Sequence, residues 1–244
     1  MKLLIDIGNT NTVYCIYDNS KCVYKKRFEN NTEIKPALNK ICDFNIKAIG
    51  IASVVPDSTQ FNSKLLLNHL NIKPFIVNWK NSNISFDVDK IDEVGVDRIC
   101  NAKAAVNKTN DNCIVIDFGT ATTYDVIDEN STFLGGAIAP GIKVSAMNLI
   151  NKAALLENTV LEFPKKYISK NTQTNIQSGV MFGAIHSIEG MIENIKHEVK
   201  VDSKIILTGG FSNLISPRLT FPHTLEPNLT MDGINLILEE NNNG

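Results

Sequence analysis

Short apolar runs separated by polar turns occupy the first 28 residues of the chain. The pattern predicts three strands, at 2–6, 12–18 and 21–28, with Asp18-Asn19-Ser20 as the hairpin turn. The same pattern returns at Cys113. There it predicts strands at 113–117, 122–128 and 132–138, with Asp128-Glu129-Asn130 as the turn. Each half of the chain is therefore predicted to begin with three antiparallel strands.

Helices and buried strands alternate after each set of three strands. Helices are predicted at 32–43, 57–70, 95–107, from Pro140-Gly141 to about 154, at 172–199 and at 229–240. In the helix at 172–199 apolar residues recur every three or four positions, and Asp57 is predicted to cap the helix at 57–70. Buried strands are predicted at 46–55, 74–78 and 204–210, and loops at 79–94, with room for one strand, and at 155–171. This order predicts an α/β fold with mixed sheets flanked by helices.

A phosphate-loop pattern occurs twice, as LLIDIGNTNT at 3–12 and as IVIDFGTATT at 114–123. A constant offset of 111 positions maps Asp6 onto Asp117 and Gly8 onto Gly119. The aspartate ends a buried strand and can hold a cation, while the glycine allows backbone N–H groups to approach a phosphate. Two such loops in register predict a duplicated module with a nucleotide between its halves, which we divide at 1–111 and 112–244.

Composition and charge narrow the class of protein. Hydrophobic residues make up 43% of the 244 residues, and the formal net charge is −2, which favours neither nucleic acid nor an acidic membrane as a partner. The five cysteines form no C-x-x-C pair, and the four histidines lack metal-ligand spacing, so we expect reduced thiols and no zinc site. No apolar run approaches the roughly 18–20 residues that span a bilayer. We therefore expect a cytoplasmic protein.

Asp97, in the run Gly95-Val96-Asp97-Arg98, has two interpretations. It can cap the following helix, with Arg98 as an ion-pair partner. It can also accept the proton of a substrate hydroxyl that attacks a γ-phosphate, with Arg98 holding an anionic substrate. The residues alone favour the cap. Two glycine turns, at 134–141 and at Thr208-Gly209-Gly210, can likewise admit a ligand or serve packing only.

The motifs DIGNTNT, GVDR, DFGTATT, GGAIAPG and TGG, in this order and spacing, closely resemble those of the type III pantothenate kinases. The resemblance covers essentially the whole chain. It implies two duplicated ribonuclease-H-like halves with an interdomain nucleotide cleft, as in the superfamily of actin, heat-shock ATPases and sugar kinases. It also implies ATP-dependent phosphorylation of pantothenate, the first step of coenzyme A synthesis. The implied enzyme is a homodimer that requires Mg²⁺ and a monovalent cation, K⁺ or NH₄⁺.

The resemblance also assigns roles to individual residues, and it makes Asp97 the general base rather than a cap. The residues implied to bind pantothenate are Phe86, Gly95, Val96, Asp97, Arg98 and Thr172. Those implied to bind ATP are Asp6, Ile7, Gly8, Asn9, Thr10, Asn11, Thr12, Val13 and Thr120. Asp117 is implied to hold the monovalent cation, and Asp6 to lie near Mg²⁺, either directly or through water. The helix at 172–199 is the candidate dimer surface.

The chain departs from the family pattern at three places. Val96 replaces the usual alanine, Phe86 stands where many members have tyrosine, and Ile91-Asp92 replaces a common proline. None of these changes removes a charge that the reaction needs. The alternative function is a non-catalytic nucleotide-binding regulator or accessory factor on the same fold, and a sugar kinase is a third possibility. A near-neutral charge, the lack of a basic helix and the intact aspartates argue against a regulator, and a sugar kinase usually needs a longer chain.

Overall fold

The computed structural model describes residues 1–29, 35–152 and 160–242. The beginning of the predicted helix at 32–43, the end of the one predicted to reach 154 and part of the loop at 155–171 lie outside these ranges. The strands are β1 (Lys2–Ile7), β2 (Asn11–Asp18), β3 (Lys21–Glu29), β4 (Ala48–Ser53), β5 (Phe75–Ile76), β6 (Ser85–Phe86), β7 (Cys113–Phe118), β8 (Ala121–Ile127), β9 (Thr132–Pro140), β10 (Lys204–Gly209) and β11 (Thr224–Leu225). The helices are α1 (Lys35–Ile41), α2 (Pro56–Leu70), α3 (Val96–Thr109), α4 (Ile142–Lys152), α5 (Thr172–Val199), α6 (Ser212–Ile215) and α7 (Leu229–Asn242).

Packing divides the chain into two compact units. The first consists of Met1–Asn110, Ile127–Gly135 and Asn228–Gly244, and the second of Asp111–Val126 and Gly136–Pro227. The chain thus leaves the first unit close to the predicted boundary, but the tip of the β8–β9 hairpin and the whole of α7 pack with the first unit. Because these units are defined by packing, the division into duplicated halves at 1–111 and 112–244 stays a prediction.

The two sheets share one strand order, and this confirms the predicted α/β fold with two mixed sheets. The first sheet runs β3-β2-β1-β4-β5, and the second runs β9-β8-β7-β10-β11, with β6 added beyond β9. In the first sheet β1, which carries the first motif, pairs in parallel with β4, and Lys2 lies opposite Ala48. In the second sheet β7, which carries the second motif, pairs in parallel with β10, and Cys113 lies opposite Lys204. The offset of 111 that relates the motifs also relates β1 to β7 and β3 to β9 at both ends.

In the first unit, alternation along β1 separates two apolar faces. Leu3, Ile5 and Ile7 pack against buried residues of α1 and α2. Leu4 lies in a second cluster with Cys100 of α3 and four buried residues of α7. Asp6 has the same parity as Leu4, so its side chain lies on the α3 and α7 side of the sheet. The strand pattern therefore brings the first aspartate to the helix that carries Asp97.

The helices α3 and α7 approach each other very closely. A Cβ atom at Gly233 would lie 1.9 Å from the carbonyl oxygen of Cys100, so only glycine fits there. Two polar contacts join the same helices near this crossing: Thr230 donates to Asn101 at 2.8 Å, and Lys108 pairs with Asp232 at 3.0 Å. Tyr17 of β2 donates a further hydrogen bond to Asp232 at 2.7 Å. The last helix of the chain thereby fixes α3 on the sheet.

In the second unit, the long helix α5 confirms the predicted helix at 172–199. Within the predicted stripe Ile188 is buried, whereas Val180, Ala184 and Met191 are only partly buried and pack against the same core. The buried face also includes Met181, Ile185 and Ile192, next to the stripe. The apolar surface of α5 is wider than the stripe, and its centre is therefore shifted. Ser178 donates to the carbonyl oxygen of Tyr167 at 2.6 Å and so holds the preceding segment on the helix.

Three sequence expectations need correction or a limit. The helix α2 begins at Pro56 with Val55 as its N-cap, so the prediction of Asp57 as the cap is wrong, although Asp57 does lie in the first turn. The predicted strand at 46–55 shortens to β4, and the one at 74–78 to the two residues of β5. Across the described residues, no helix combines the length and the apolar character needed to cross a membrane.

Replacement of Gly233 by alanine should strongly destabilise the protein, because the new methyl group overlaps the backbone of α3. We expect the free energy of unfolding to fall by roughly 2–4 kcal/mol in denaturant titrations. Gly190→Ala is the matched control, because a Cβ atom at this helical position meets nothing within 4 Å. It should raise stability by about 0.5–1 kcal/mol. Equal stability of the two variants would contradict the packing described for α3 and α7.

Candidate functional site

The first repeated motif forms a tight turn at the end of β1. The N–H group of Gly8 donates to the carbonyl oxygen of Asn11 at 3.0 Å, which closes the turn between β1 and β2. Asp6 is half-buried one residue before the end of β1, and Thr12 is 4% exposed at the start of β2. Asn9 and Thr10, at the tip of the turn, are exposed. The predicted ATP-binding residues of this loop therefore surround one short turn that ends a buried strand.

Asp97 lies in the first turn of α3, and it is not the cap. The N-cap residue is Gly95, which makes no side-chain capping bond, so the interpretation of Asp97 as the N-cap is wrong. The carboxylate of Asp97 turns back and accepts a hydrogen bond from the N–H of Arg98 at 2.9 Å. A Cβ atom at Gly95 would lie 2.5 Å from this carboxylate oxygen. Glycine at 95 therefore leaves the space that the carboxylate occupies, and the helix dipole favours a negative charge there.

Cys100 links the first loop to α3. This thiol is completely buried, and burial raises its pKa well above the usual range, as do the nearby charges of Asp6 and Asp97. The two carboxylates therefore lie near the same buried group. No motif in the sequence marks Cys100, although its position three residues after Asp97 places it on the same side of the helix. Both aspartates belong to the first unit, and Asp6 lies on the face of the sheet against which α3 packs.

Arg98 lies over an aromatic ring that the sequence analysis missed. The guanidinium carbon is 5.3 Å from the centre of the Phe133 ring, and the Phe86 and Phe133 rings are 6.1 Å apart. The short strand β6 pairs in parallel with β9, with Phe86 opposite Phe133. Val96 packs against the apolar cluster that contains Leu4 and Cys100. Two of the three departures from the family pattern, Phe86 and Val96, therefore contribute to packing.

The second repeated motif forms a turn enclosed by glycines. The N–H of Gly119 donates to the carbonyl oxygen of Ala121 at 3.0 Å, and the N–H of Gly141 to that of Thr120 at 3.1 Å. A Cβ atom at Gly209 would lie 2.4 Å from a carboxylate oxygen of Asp117, and Gly209 has a φ of +89°. The side chain of Asp117 thus lies beside the glycine turn at 208–210, and the turn that contains Gly141 meets the motif at Thr120. Glycine at position 209 leaves space beside the Asp117 carboxylate, and any other side chain at that position would fill it.

Thr172 is the first residue of α5, and it is exposed. The preceding residue, Asn171, caps the helix by accepting a hydrogen bond from the N–H of Thr174 at 2.9 Å. Thr172 also lines a cavity of about 600 Å³, all of whose lining residues belong to the second unit. The other walls include Thr122, Tyr124, Pro140, Gly179 and Gly183. Thr120, by contrast, lies exposed at the turn after Asp117 and does not line the cavity.

In either unit, a bound cation would need ligands from a phosphorylated substrate as well as from the protein. Within the described part of the chain, no group of three or more His, Cys, Asp and Glu side chains could hold a metal ion. Asp6 and Asp117 each place one carboxylate near a strand end, beside a glycine turn. Mg²⁺ is commonly bound by one or two carboxylates together with substrate phosphates and water. The residues present therefore fit cations that are held jointly with a phosphorylated ligand.

Comparison with known proteins gives one family. The family model described as type III pantothenate kinase matches residues 2–194. A type III pantothenate kinase of Geobacillus kaustophilus is 36% identical over 99% of this chain and 98% of its own. One from Geotalea daltonii is 34% identical over 99% of each chain. These matches confirm the resemblance seen in the motifs.

Solved structures agree with the fold. A Campylobacter jejuni protein named as a conserved Baf family transcriptional activator has a TM-score of 0.61 at 23% identity, covering 99% of this chain and 100% of its own. The activator of 2-hydroxyisocaproyl-CoA dehydratase from Clostridium difficile, solved with ADPNP, has a TM-score of 0.53 at 13% identity, covering 100% of this chain and 97% of its own. At these identities the likeness concerns the fold alone.

The turn around Asp117 should tolerate alanine in place of Gly119 but not in place of Gly141. A Cβ atom at Gly141 would lie 2.3 Å from the carbonyl oxygen of Thr120, whereas one at Gly119 meets its nearest neighbour at 3.5 Å. We expect Gly141→Ala to lower the free energy of unfolding by about 2–3 kcal/mol, because it overlaps fixed backbone, and Gly119→Ala by less than about 1 kcal/mol. Chemical denaturation of both variants measures this. The reverse order would show that the turn is arranged differently.

Proposed function

Because the chain belongs to the type III pantothenate kinase family, we propose that it transfers the γ-phosphoryl group of ATP to the primary hydroxyl of pantothenate. The product is 4′-phosphopantothenate, and the reaction is the first step of coenzyme A synthesis. The observation that supports this proposal best is that Asp97 lies in the first turn of α3, the helix that packs on the sheet face occupied by Asp6. A phosphate-type turn and a carboxylate at a helix N-terminus are the parts that phosphoryl transfer to an alcohol needs.

Asp97 is proposed as the general base. Its carboxylate accepts the proton of the attacking hydroxyl while the hydroxyl oxygen forms a bond to the γ-phosphorus. The bond from that phosphorus to the β-phosphate oxygen breaks, and ADP leaves with the electron pair. The hydrogen bond from the N–H of Arg98 holds the carboxylate at the helix start. Arg98 would bind the carboxylate of pantothenate, with Phe86, Gly95, Val96 and Thr172 as further proposed substrate contacts.

The phosphates of ATP are proposed to bind at the turn between Asp6 and Val13, where glycine at position 8 allows the backbone to approach a phosphate closely. Asp6 would hold Mg²⁺, either directly or through water, and Asp117 would hold K⁺ or NH₄⁺, with Thr120 in contact with ATP. When bound, these cations neutralise charge on the phosphates. The single carboxylates and the glycine-lined space beside Asp117 support this assignment. A homodimer formed through α5 and a cytoplasmic location also remain proposals.

A non-catalytic nucleotide-binding regulator on the same fold is the competing function. No observation in the described residues favours it. A regulator has no use for the Asp97 carboxylate, which is held at the start of α3 in the space that glycine at position 95 leaves open. The likeness to a protein named as a transcriptional activator is too distant in sequence to carry a function. The two functions differ in one measurable property, which is turnover.

The proposed activity is tested by ADP release at fixed Mg²⁺ and millimolar ATP, with pantothenate present or absent and with K⁺, NH₄⁺ or neither. We expect release to require pantothenate and to increase strongly with either monovalent ion. Loss of the response to the ion in Asp117→Asn would support the cation role of Asp117. Folded protein that releases no ADP under any of these conditions would favour the regulator.

In the same assay, Asp97→Asn should reduce kcat by about 10²–10⁴-fold, because an amide cannot accept the hydroxyl proton. The affinity for ATP should change little, since the phosphates are proposed to bind at the other motif. Binding of ATP measured by calorimetry provides the comparison. Turnover equal to that of the unmodified protein would remove Asp97 from the mechanism.

Gly95→Ala tests the position of the carboxylate without changing its chemistry. The methyl group would collide with the carboxylate of Asp97 at 2.5 Å, and this side chain can rotate away at little cost in stability. We expect kcat to fall by about 100-fold, because a misplaced base is a poor one. The melting temperature should stay close to that of the unmodified protein. Gly190→Ala, remote from both motifs, is the control and should keep full turnover.

A further inference from the structure

Phe133 supports Arg98 from a rigid position. Its side chain is 1% exposed and lies at the beginning of β9, where the tip of the hairpin packs with the first unit. The turn before it is held by the carboxylate of Asp128, which accepts a hydrogen bond from the N–H of Thr132 at 2.7 Å. The carbonyl oxygen of Phe133 itself accepts from the N–H of Asp87 at 2.9 Å. Hydrogen bonds therefore hold the backbone on both sides of Phe133, and burial confines its ring.

An arginine on such a ring loses freedom without losing hydrogen-bonding capacity. The ring attracts the flat face of the guanidinium group, whose N–H donors point outward in the plane and form paired hydrogen bonds with a carboxylate. Arg98 itself is only half-buried, and arginine has many rotamers when nothing holds it. A fixed ring 5.3 Å from the guanidinium carbon limits these rotamers. The Phe133 ring is therefore placed to support Arg98 while the guanidinium group binds an anion.

We propose that Phe133 is a positioning residue that orients Arg98 toward the carboxylate of the acceptor, with Phe86 supporting the ring from β6. This inference rests on the proposed function, since the acceptor carboxylate belongs to pantothenate. It extends the function by naming a residue that sets specificity for an anionic acceptor. Phe133 acts through Arg98 and does not touch the substrate itself.

The decisive readout is discrimination between two acceptors that differ in charge. Pantothenate is compared with pantothenol, in which a hydroxymethyl group replaces the carboxylate. In Phe133→Leu the ratio of kcat/KM for pantothenate to that for pantothenol should fall about tenfold, mainly through the KM for pantothenate. The kcat/KM for pantothenol should stay nearly constant. A purely structural role of Phe133 would lower both values together, and that result would overturn the proposal.

A matched control exists in the second unit. Arg218 lies over Phe163, with its guanidinium carbon 4.8 Å from the centre of the ring. Phe163→Leu removes an arginine–aromatic contact of the same kind, and it should leave the acceptor ratio unchanged. A second control uses Arg98→Gln. In that background Phe133→Leu should have no further effect on the ratio, because the group that it orients is gone. An unchanged tenfold effect there would contradict the proposed route through Arg98.

Chemical reactivity tests the same inference independently of any acceptor. The chain has three arginines, Arg27, Arg98 and Arg218, whose modification by phenylglyoxal can be followed by mass spectrometry of peptides. Phe133→Leu should speed the modification of Arg98 alone, and Phe163→Leu that of Arg218 alone. Thermal melts identify any variant that has lost its fold, and Phe133→Met then replaces Phe133→Leu. If the protein without substitutions releases no ADP in the presence of pantothenate, only the proposed function is disproved. If Phe133→Leu leaves the rate at which phenylglyoxal modifies Arg98 unchanged, the support of Arg98 by Phe133 is disproved.

Discussion

The close approach of α3 and α7 is the constraint on which the first unit depends. At Gly233 the two helices are so near that no side chain fits against the backbone of Cys100. The contact sets the position of α3 on the sheet, and α3 carries Asp97 in its first turn. The packing of α7 against α3 thereby helps to position the carboxylate of Asp97.

The two copies of the repeated module share a topology but differ in how they build their turns. In the first copy Gly8 bonds to the third residue after it, and in the second Gly119 bonds to the second residue after it. The tighter second turn is enclosed by Gly141 and Gly209, which leave no room for side chains. In the first unit α3 carries Asp97 in its first turn, whereas α4, which follows Gly141 in the second unit, carries no acidic residue there. The two loops therefore differ in chemical capacity.

The sequence predicts well what depends on local pattern and poorly what depends on distant packing. The strands of both halves and the helix α5 follow from hydrophobic periodicity, and the repeat at 111 positions predicts the common strand order. The residues alone favour Asp97 as the cap of α3, because aspartate is a good cap, but Gly95 takes that position and the carboxylate of Asp97 accepts a hydrogen bond from the N–H of Arg98. Phe133 has no local signal, because its role depends on the pairing of β6 with a hairpin about 47 residues away.

The departures from the family pattern become intelligible once the packing is known. Val96 adds two methyl groups beside the proposed base, yet they contribute to the apolar cluster beneath α3 and so help to hold that helix. Phe86 lacks the hydroxyl of tyrosine, but its ring packs near Phe133, on which Arg98 lies. In both cases apolar contact reinforces the elements that carry Asp97 and Arg98. A chain that had lost catalysis would have no reason to retain these charges together with the packing that orients them.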